Sequence, residues 1–450
     1  MMKKFLAGIL AVGMVATMLS GCGSDGTDKK SGGGTGKTVV ANGKELDGGK
    51  SVTIRFATQT MTNAPVLVSI LDQFEKDYPN VKLEIEESPG NDLITKINTD
   101  IMGDNAPDLF TFWRPEAKWN VDKFIEKGAL ADLTELVNTD PFFENLFPEY
   151  AWNTSTVNGS VYCIPRMNFY VEFLVNKDVF EQYDIPLPTD WDALVNACEQ
   201  LKANGIIPWC VDTKEGLDDS SRIFNAIINR VVGNAKGLEL LKGAESFQDA
   251  EVIRALDYFL EVASGNAPED AAILDFNQAI TKYLNTGKAG MVIGNCVQIN
   301  INLTDEILES LVAMNLPLTP DAVIDAPSLE QDLSNLVYIS SKAYNDPDKK
   351  DYVIELMKRM VSPEAAKRYL EEERMVVPHL NLEVDPAAVP AVQIEAAEIA
   401  ENSASDKWLL SFAKPGPVDN FRIVINEAWI GKYASGKELA KALDEALYQK

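Results

Sequence analysis

The sequence predicts an α/β protein of two lobes, each a mostly parallel sheet flanked by helices. Three observations predict it. Strand-like and helix-like periodicities alternate from Val52 onward, and a second alternating series opens near Val171. The roughly 400 residues after position 50 are also enough for two separate cores.

In the first lobe, Val52-Thr53-Ile54-Arg55-Phe56-Ala57 alternates as a strand. Val66, Ile70, Leu71 and Phe74 then mark one face of a helix that ends near Tyr78-Pro79. Val81-Lys82-Leu83-Glu84-Ile85 alternates again. A helix over Asp92–Met102 stops at Gly103, and Pro107 to Trp113 reads as a third strand. Ligands of such sheets sit beyond the carboxyl ends of the strands, where Trp113 and Arg114 fall.

The second lobe starts with the strand-like Phe173-Leu174-Val175. A helix follows over Trp191–Leu201, with Asp190 as N-cap and Gly205 beyond its end. Ile206 to Val211 is the next strand, then come helices near 221–231, 251–263 and 276–285 and a strand over Ala289–Gly294. After Pro317 and Pro320 the chain reads as loop until Leu336–Ile339. Helices near 348–360, 363–372 and 437–448 complete the series. The sequence contains no internal repeat.

The N-terminus reads as a targeting segment. Lys3 and Lys4 precede an uncharged run, Phe5–Leu19, shorter than the roughly 20 residues of a spanning helix. The run closes on Leu19-Ser20-Gly21-Cys22, a bacterial lipobox in which Cys22 would carry the lipid; an ordinary signal peptide with an incidental cysteine is the alternative. Residues 23–50, rich in glycine and serine, read as a flexible tether, whose coil would span about 30 Å.

The formal net charge is −27, and it becomes two units more negative once Lys3 and Lys4 leave with the signal. Such acidity repels nucleic acid and anionic lipid, which excludes nucleic-acid binding. Cys163, Cys198, Cys210 and Cys296 lie among core-like neighbours and read as free buried thiols, although two disulfides would also suit an exported chain. A single histidine, His379, and the lack of CxxC leave no basis for a metal site or a Ser–His–Asp triad.

Several spaced segments together resemble the extracellular solute-binding proteins of ATP-binding-cassette importers, in particular the sugar-binding group that includes maltodextrin-binding proteins. They are Phe74 to Val81, Ala106-Pro107-Asp108-Leu109, Gly128 to Thr134, Val175 to Phe180 with Pro188 to Leu194, Gly287 to Met291, and Ser362 to Ala366. The resemblance spans about 51–450. It implies a type II periplasmic-binding-protein-like fold whose lobes are discontinuous: 51–168 with 332–375, and 169–331 with 376–450. Crossings are expected near 165–172, 328–336 and 374–380. The implied function is capture of a carbohydrate in the interlobe cleft and delivery to the permease subunits of the importer. No cofactor, metal or catalytic residue is implied, and the chain is expected as a monomer on the outer face of the cytoplasmic membrane, or on its periplasmic side in a Gram-negative cell.

A sugar needs aromatic faces for its C–H groups and polar groups for its hydroxyls. Trp113 matches a family position where tryptophan meets sugar, with Arg114 and Glu116 beside it; a partly buried surface tryptophan is the plainer reading. Arg166, Asn168 and Tyr170 share one strand face by their two-residue period and serve either as cleft floor or as hinge supports. Asp212, Lys214 and Glu215 follow a strand, as cleft residues or as a solvated loop. Where the family often has Gly-x-Trp, this chain has Gly294-Asn295-Cys296, which leaves Asn295 and Gln298 to supply hydrogen bonds and argues against a long maltodextrin. Phe421, with Trp408 and Trp429 in the same C-terminal segment, is a further contact candidate against ordinary core packing. The residues leave open a receptor for a peptide, polyamine or other charged solute. An extracellular glycosidase would need a compact carboxylate pair, and none stands out.

Overall fold

The computed structural model describes residues 50–59, 61, 64–112, 121–214, 220–324, 326–406, 409 and 417–448. In chain order the strands are β1 (Val52–Gln59), β2 (Val81–Ser88), β3 (Leu109–Phe112), β4 (Thr156–Val157), β5 (Ser160–Val161) and β6 (Met167–Asn176). β7 (Ile207–Trp209), β8 (Ala289–Asn295), β9 (Leu311–Met314), β10 (Ser328–Ser334), β11 (Leu336–Ile339) and β12 (Ala404–Asp406) follow.

The first sheet has the order β11-β3-β1-β2. β1 runs parallel to β2 with Val52 opposite Val81 and Phe56 opposite Ile85. Its inward residues Ile54 and Phe56 are fully buried. Helix Pro65–Asp77 turns Val66, Leu67, Ile70, Leu71 and Phe74 inward, as its three-to-four-residue spacing requires. β3 is buried along its whole length because β1 and β11 flank it and its side chains enter the first core. The Phe110 and Tyr338 rings stack across β3 and β11 at 5.2 Å.

The second sheet, β12-β10-β6-β8-β7, is built around β6. One edge of β6 pairs with β8; the other pairs with β10 near its start, through Tyr170–Gln331, and with β9 further on, from Phe173–Met314. Both sheets are therefore mixed. The second departs from the expected mostly parallel arrangement because β6 runs antiparallel to β8, β9 and β10. Helix Trp191–Ala203 starts as expected, with the Asp190 carboxylate accepting the Ala193 N–H at 2.9 Å. Gly290 on β8 lies under this helix, and a Cβ there would meet Leu201 Cδ1 at 2.6 Å.

Each sheet has its own apolar core, and the chain passes between them along paired strands. Met167 and Leu333 belong to the first core, whereas Val171 and Phe173 belong to the second. A third passage follows helix Pro363–Glu373. Met375 packs in the first core, the Val376 carbonyl accepts the Asn168 N–H at 2.8 Å, and Val392 lies in the second lobe. Arg374, in a left-handed conformation at that helix end, donates to the Leu303 carbonyl at 2.7 Å and pairs with Asp305. It thus ties the two lobes by side chain.

Several elements differ from expectation. Residues 328–334 read as loop by their periodicity but form β10, in the span where the resemblance implies a crossing. Helix Arg222–Lys242 runs further than 231 through a kink at Gly233, where φ is 80° and ψ 155°. Helices Cys296–Asn302, Ala391–Asn402 and Pro417–Trp429 were not foreseen. Cys163, Cys198, Cys210 and Cys296 are free and buried, so neither disulfide of the alternative reading forms.

Candidate functional site

The lobe junction is built on β6 and β10. Asn168 and Phe169 are the half-buried residues of β6, and the rest of the strand is buried. Phe169 lies opposite Asp332 in the register, and the Arg222 guanidinium sits 5.5 Å from its ring centroid. Arg222 is itself buried and paired with Glu330, two residues from Asp332 on the same face of β10. The result is an aromatic ring edged by a carboxylate and a guanidinium. Such a group can stack on a C–H face and hydrogen-bond the polar edge of a neutral ligand.

The expected trio on β6 is divided. Arg166 is buried against the first lobe, its guanidinium 4.8 Å from the Tyr369 ring centroid, and its Nε has no hydrogen-bond partner. Nearby Glu373 accepts the Val66 N–H at 2.6 Å; burial raises its pKa, and Arg166 acts against that shift. Asn168 hydrogen-bonds the Tyr150 hydroxyl by its side chain. Tyr170 instead packs under helix Ala391–Asn402 with Cys296, Ala396 and Ala400, and burial holds its hydroxyl well above the usual range. The two-residue period holds, but the Tyr170 face is covered by a helix.

Trp113, Arg114, Glu116, Glu215 and Trp408 lie outside the described residues. Asp212 is buried, while Lys214 is exposed. Their loop is held to helix Pro417–Trp429, where Asn426 donates to the Thr213 carbonyl at 2.7 Å and Trp429 Nε1 to the Ser220 carbonyl at 2.8 Å. Asn295 caps helix Cys296–Asn302 by accepting the Val297 N–H at 2.9 Å. Gln298, on that helix, is half-buried, and its Oε1 is buried without a hydrogen-bond partner. Val297 and Ile301 of the same helix pack on the first core, which places Gln298 at the junction.

Phe421 corrects an expectation. It is fully buried between Phe224 at 5.3 Å and Phe247 at 6.0 Å, in the second core and not at a cleft surface. Trp429 is buried in the same way, edge-on to Phe259. The reading along the chain missed Phe169, Arg222, Glu330 and Asp332. The assumed cleft face ran through even-numbered residues, and the alternation of β10 gave no strand signal of its own, although the resemblance implies a crossing there. Among the described residues, no group of three or more His, Cys, Asp or Glu side chains could hold a metal ion. No described helix is long and apolar enough to cross a membrane.

Comparison with known proteins fits this architecture. A protein described in work on xylan utilization by Caldanaerobius polysaccharolyticus superposes with a TM-score of 0.74 at 19% identity, covering 87% of this chain and 99% of that one. Maltose-bound MalE3 of T. maritima gives a TM-score of 0.67 at 17% identity, covering 88% and 99%. In sequence, the multiple sugar-binding protein of Streptococcus mutans is 23% identical over 205 residues, 46% of this chain and 43% of that protein. The chain spans about half the length, or less, of the curated relatives it matches. Residues 59–367 match the model of the bacterial extracellular solute-binding protein family. With two lobes, crossing strands and a polar-aromatic junction in place, the chain belongs to that family.

Proposed function

We propose that this protein is the carbohydrate receptor of an ATP-binding-cassette importer, holding a mono- or oligosaccharide between its lobes and presenting it to the permease. The observation that carries the reading is the half-buried Phe169 ring at the lobe crossing, edged by Asp332 and Arg222. Relatives of the same fold support it: one is described as maltose-bound and another as a multiple sugar-binding protein. Asn168 and Gln298 lie at the same junction and would supply hydrogen bonds, while Arg166, buried against the first lobe, would support the crossing. Trp113, Arg114 and Glu116, which follow β3 in sequence, would add a second stacking ring and its polar partners. The receptor does no bond chemistry. Lobe closure allows both halves to touch the ligand at once, so binding shifts the open–closed equilibrium.

Lipidation of Cys22, with residues 23–50 as tether, would keep the receptor at the outer face of the membrane. A screen of sugars, peptides and polyamines by thermal shift tests the ligand class. Stabilisation by a saccharide, lost in Trp113→Ala and Phe169→Ala, is expected; hits confined to amines or peptides would overturn the assignment. Cys22→Ser should release the protein into the medium, and unchanged membrane retention would refute the anchor.

A further inference from the structure

The second lobe contains a small pocket, of about 30 Å³, where its sheet is incomplete. β10 pairs with β6 up to Tyr170, and β9 takes over at Phe173. Along that edge no strand partners Val171 or Glu172 among the described residues. Glu172 lines the pocket at this break. It is only 4% exposed, and neither carboxylate oxygen has a hydrogen-bond partner.

The other buried charges around the pocket are matched. Arg222 pairs with Glu330. Arg230 donates to the carbonyls of Leu316, Pro317 and Ser328 at 2.9 to 3.0 Å and faces the charge of Asp406. Glu172 alone in this group has no counter-charge. A buried carboxylate in that position either stays protonated or takes up a cation. Burial, unopposed by any neighbouring cation, pushes its carboxyl up to about 8.

We propose that the sheet break is a site for one small monovalent cation, bound by the Glu172 carboxylate and neutral oxygens of the pocket. The charge balance calls for a single positive charge, and the absence of a second unmatched carboxylate disfavours a divalent ion, which draws on several. An alkali ion and ammonium share this chemistry. The pocket shares Arg222 and Glu330 with the proposed ligand group at the lobe junction, whereas Glu172, the residue that would hold the cation, is not part of that group.

The test is the melting temperature of the whole protein at pH 8.5 in NaCl, KCl, NH4Cl or choline chloride at equal ionic strength. One of the small cations should raise it above choline by about 2 °C at ten times its dissociation constant. Glu172→Gln, which keeps shape and removes charge, should abolish the increment. Equal melting temperatures in all four salts, or an unchanged increment in Glu172→Gln, would overturn the proposal. Should that variant not fold, 23Na line broadening by the wild-type protein, reversed by competing ammonium or K⁺, reads the site directly, and absence of broadening together with equal melting temperatures rejects it. Sugar binding, measured alongside, reports the interlobe reading separately.

Discussion

At the scale of single residues, the environment of a side chain decides its chemistry more than its type does. His379, the one histidine of the chain, packs edge-on to Phe147 at 4.7 Å and bonds the Val361 carbonyl through Nε2 at 2.9 Å. Its Nδ1 is buried with no partner. Burial lowers its pKa, and the carbonyl opposes that only in part. The folded state therefore binds fewer protons than the unfolded state, and this contribution to stability is full above about 6.5 and is lost as pH falls below it through the depressed folded value. An NMR titration of the lone imidazole should give a midpoint below that value; a midpoint above it would show the ring to be solvated. Gly290 makes a steric prediction. Gly290→Ala forces a methyl onto Leu201 and should destabilise the protein by about 1–3 kcal/mol in urea unfolding, and no loss would mean that the helix shifts freely.

Elements were legible where one face is wet and the other dry. β1 and β2 alternate because their outward residues meet solvent, and helix Trp191–Ala203 carries its own start signal in Asp190. Removing that cap in Asp190→Ala should cost about 1 kcal/mol, read from the denaturant midpoint. β10 was illegible to periodicity for the opposite reason, and only the resemblance implied a crossing there. Its Glu330 is buried against Arg222, so a strand interior looks like a polar loop. Helix Ala391–Asn402 hides Tyr170 but buries mainly Val392, Gln393 and alanines, a weak signal along the chain. The site suffered from both effects. The crossing segment was located and its period was right, yet which face stays open depends on a helix more than two hundred residues away. Asn168 remained at the junction, whereas Phe169 emerged only from the register with β10.

For the whole molecule, the two cores and the motif order were readable because length and alternation are properties of the chain itself. How the lobes are fastened was not. Arg374 reaches from the end of a first-lobe helix to Leu303 and Asp305 of the second, a contact no local pattern announces. Arg374→Ala should widen the distribution of interlobe distances measured by pulsed spin-label spectroscopy, while each lobe keeps its fold; an unchanged distribution would make the contact incidental. The four buried cysteines bear on how such a measurement is made. Burial pushes the Cys163 and Cys198 thiols up to about 12 and raises Cys296 as well, which leaves almost no thiolate near neutrality. A maleimide added to the folded chain from residue 50 onward would find these sulfurs unreactive. Two cysteines introduced on opposite lobes could then carry fluorophores against a silent background, and lobe closure could be watched with all four native cysteines left in place.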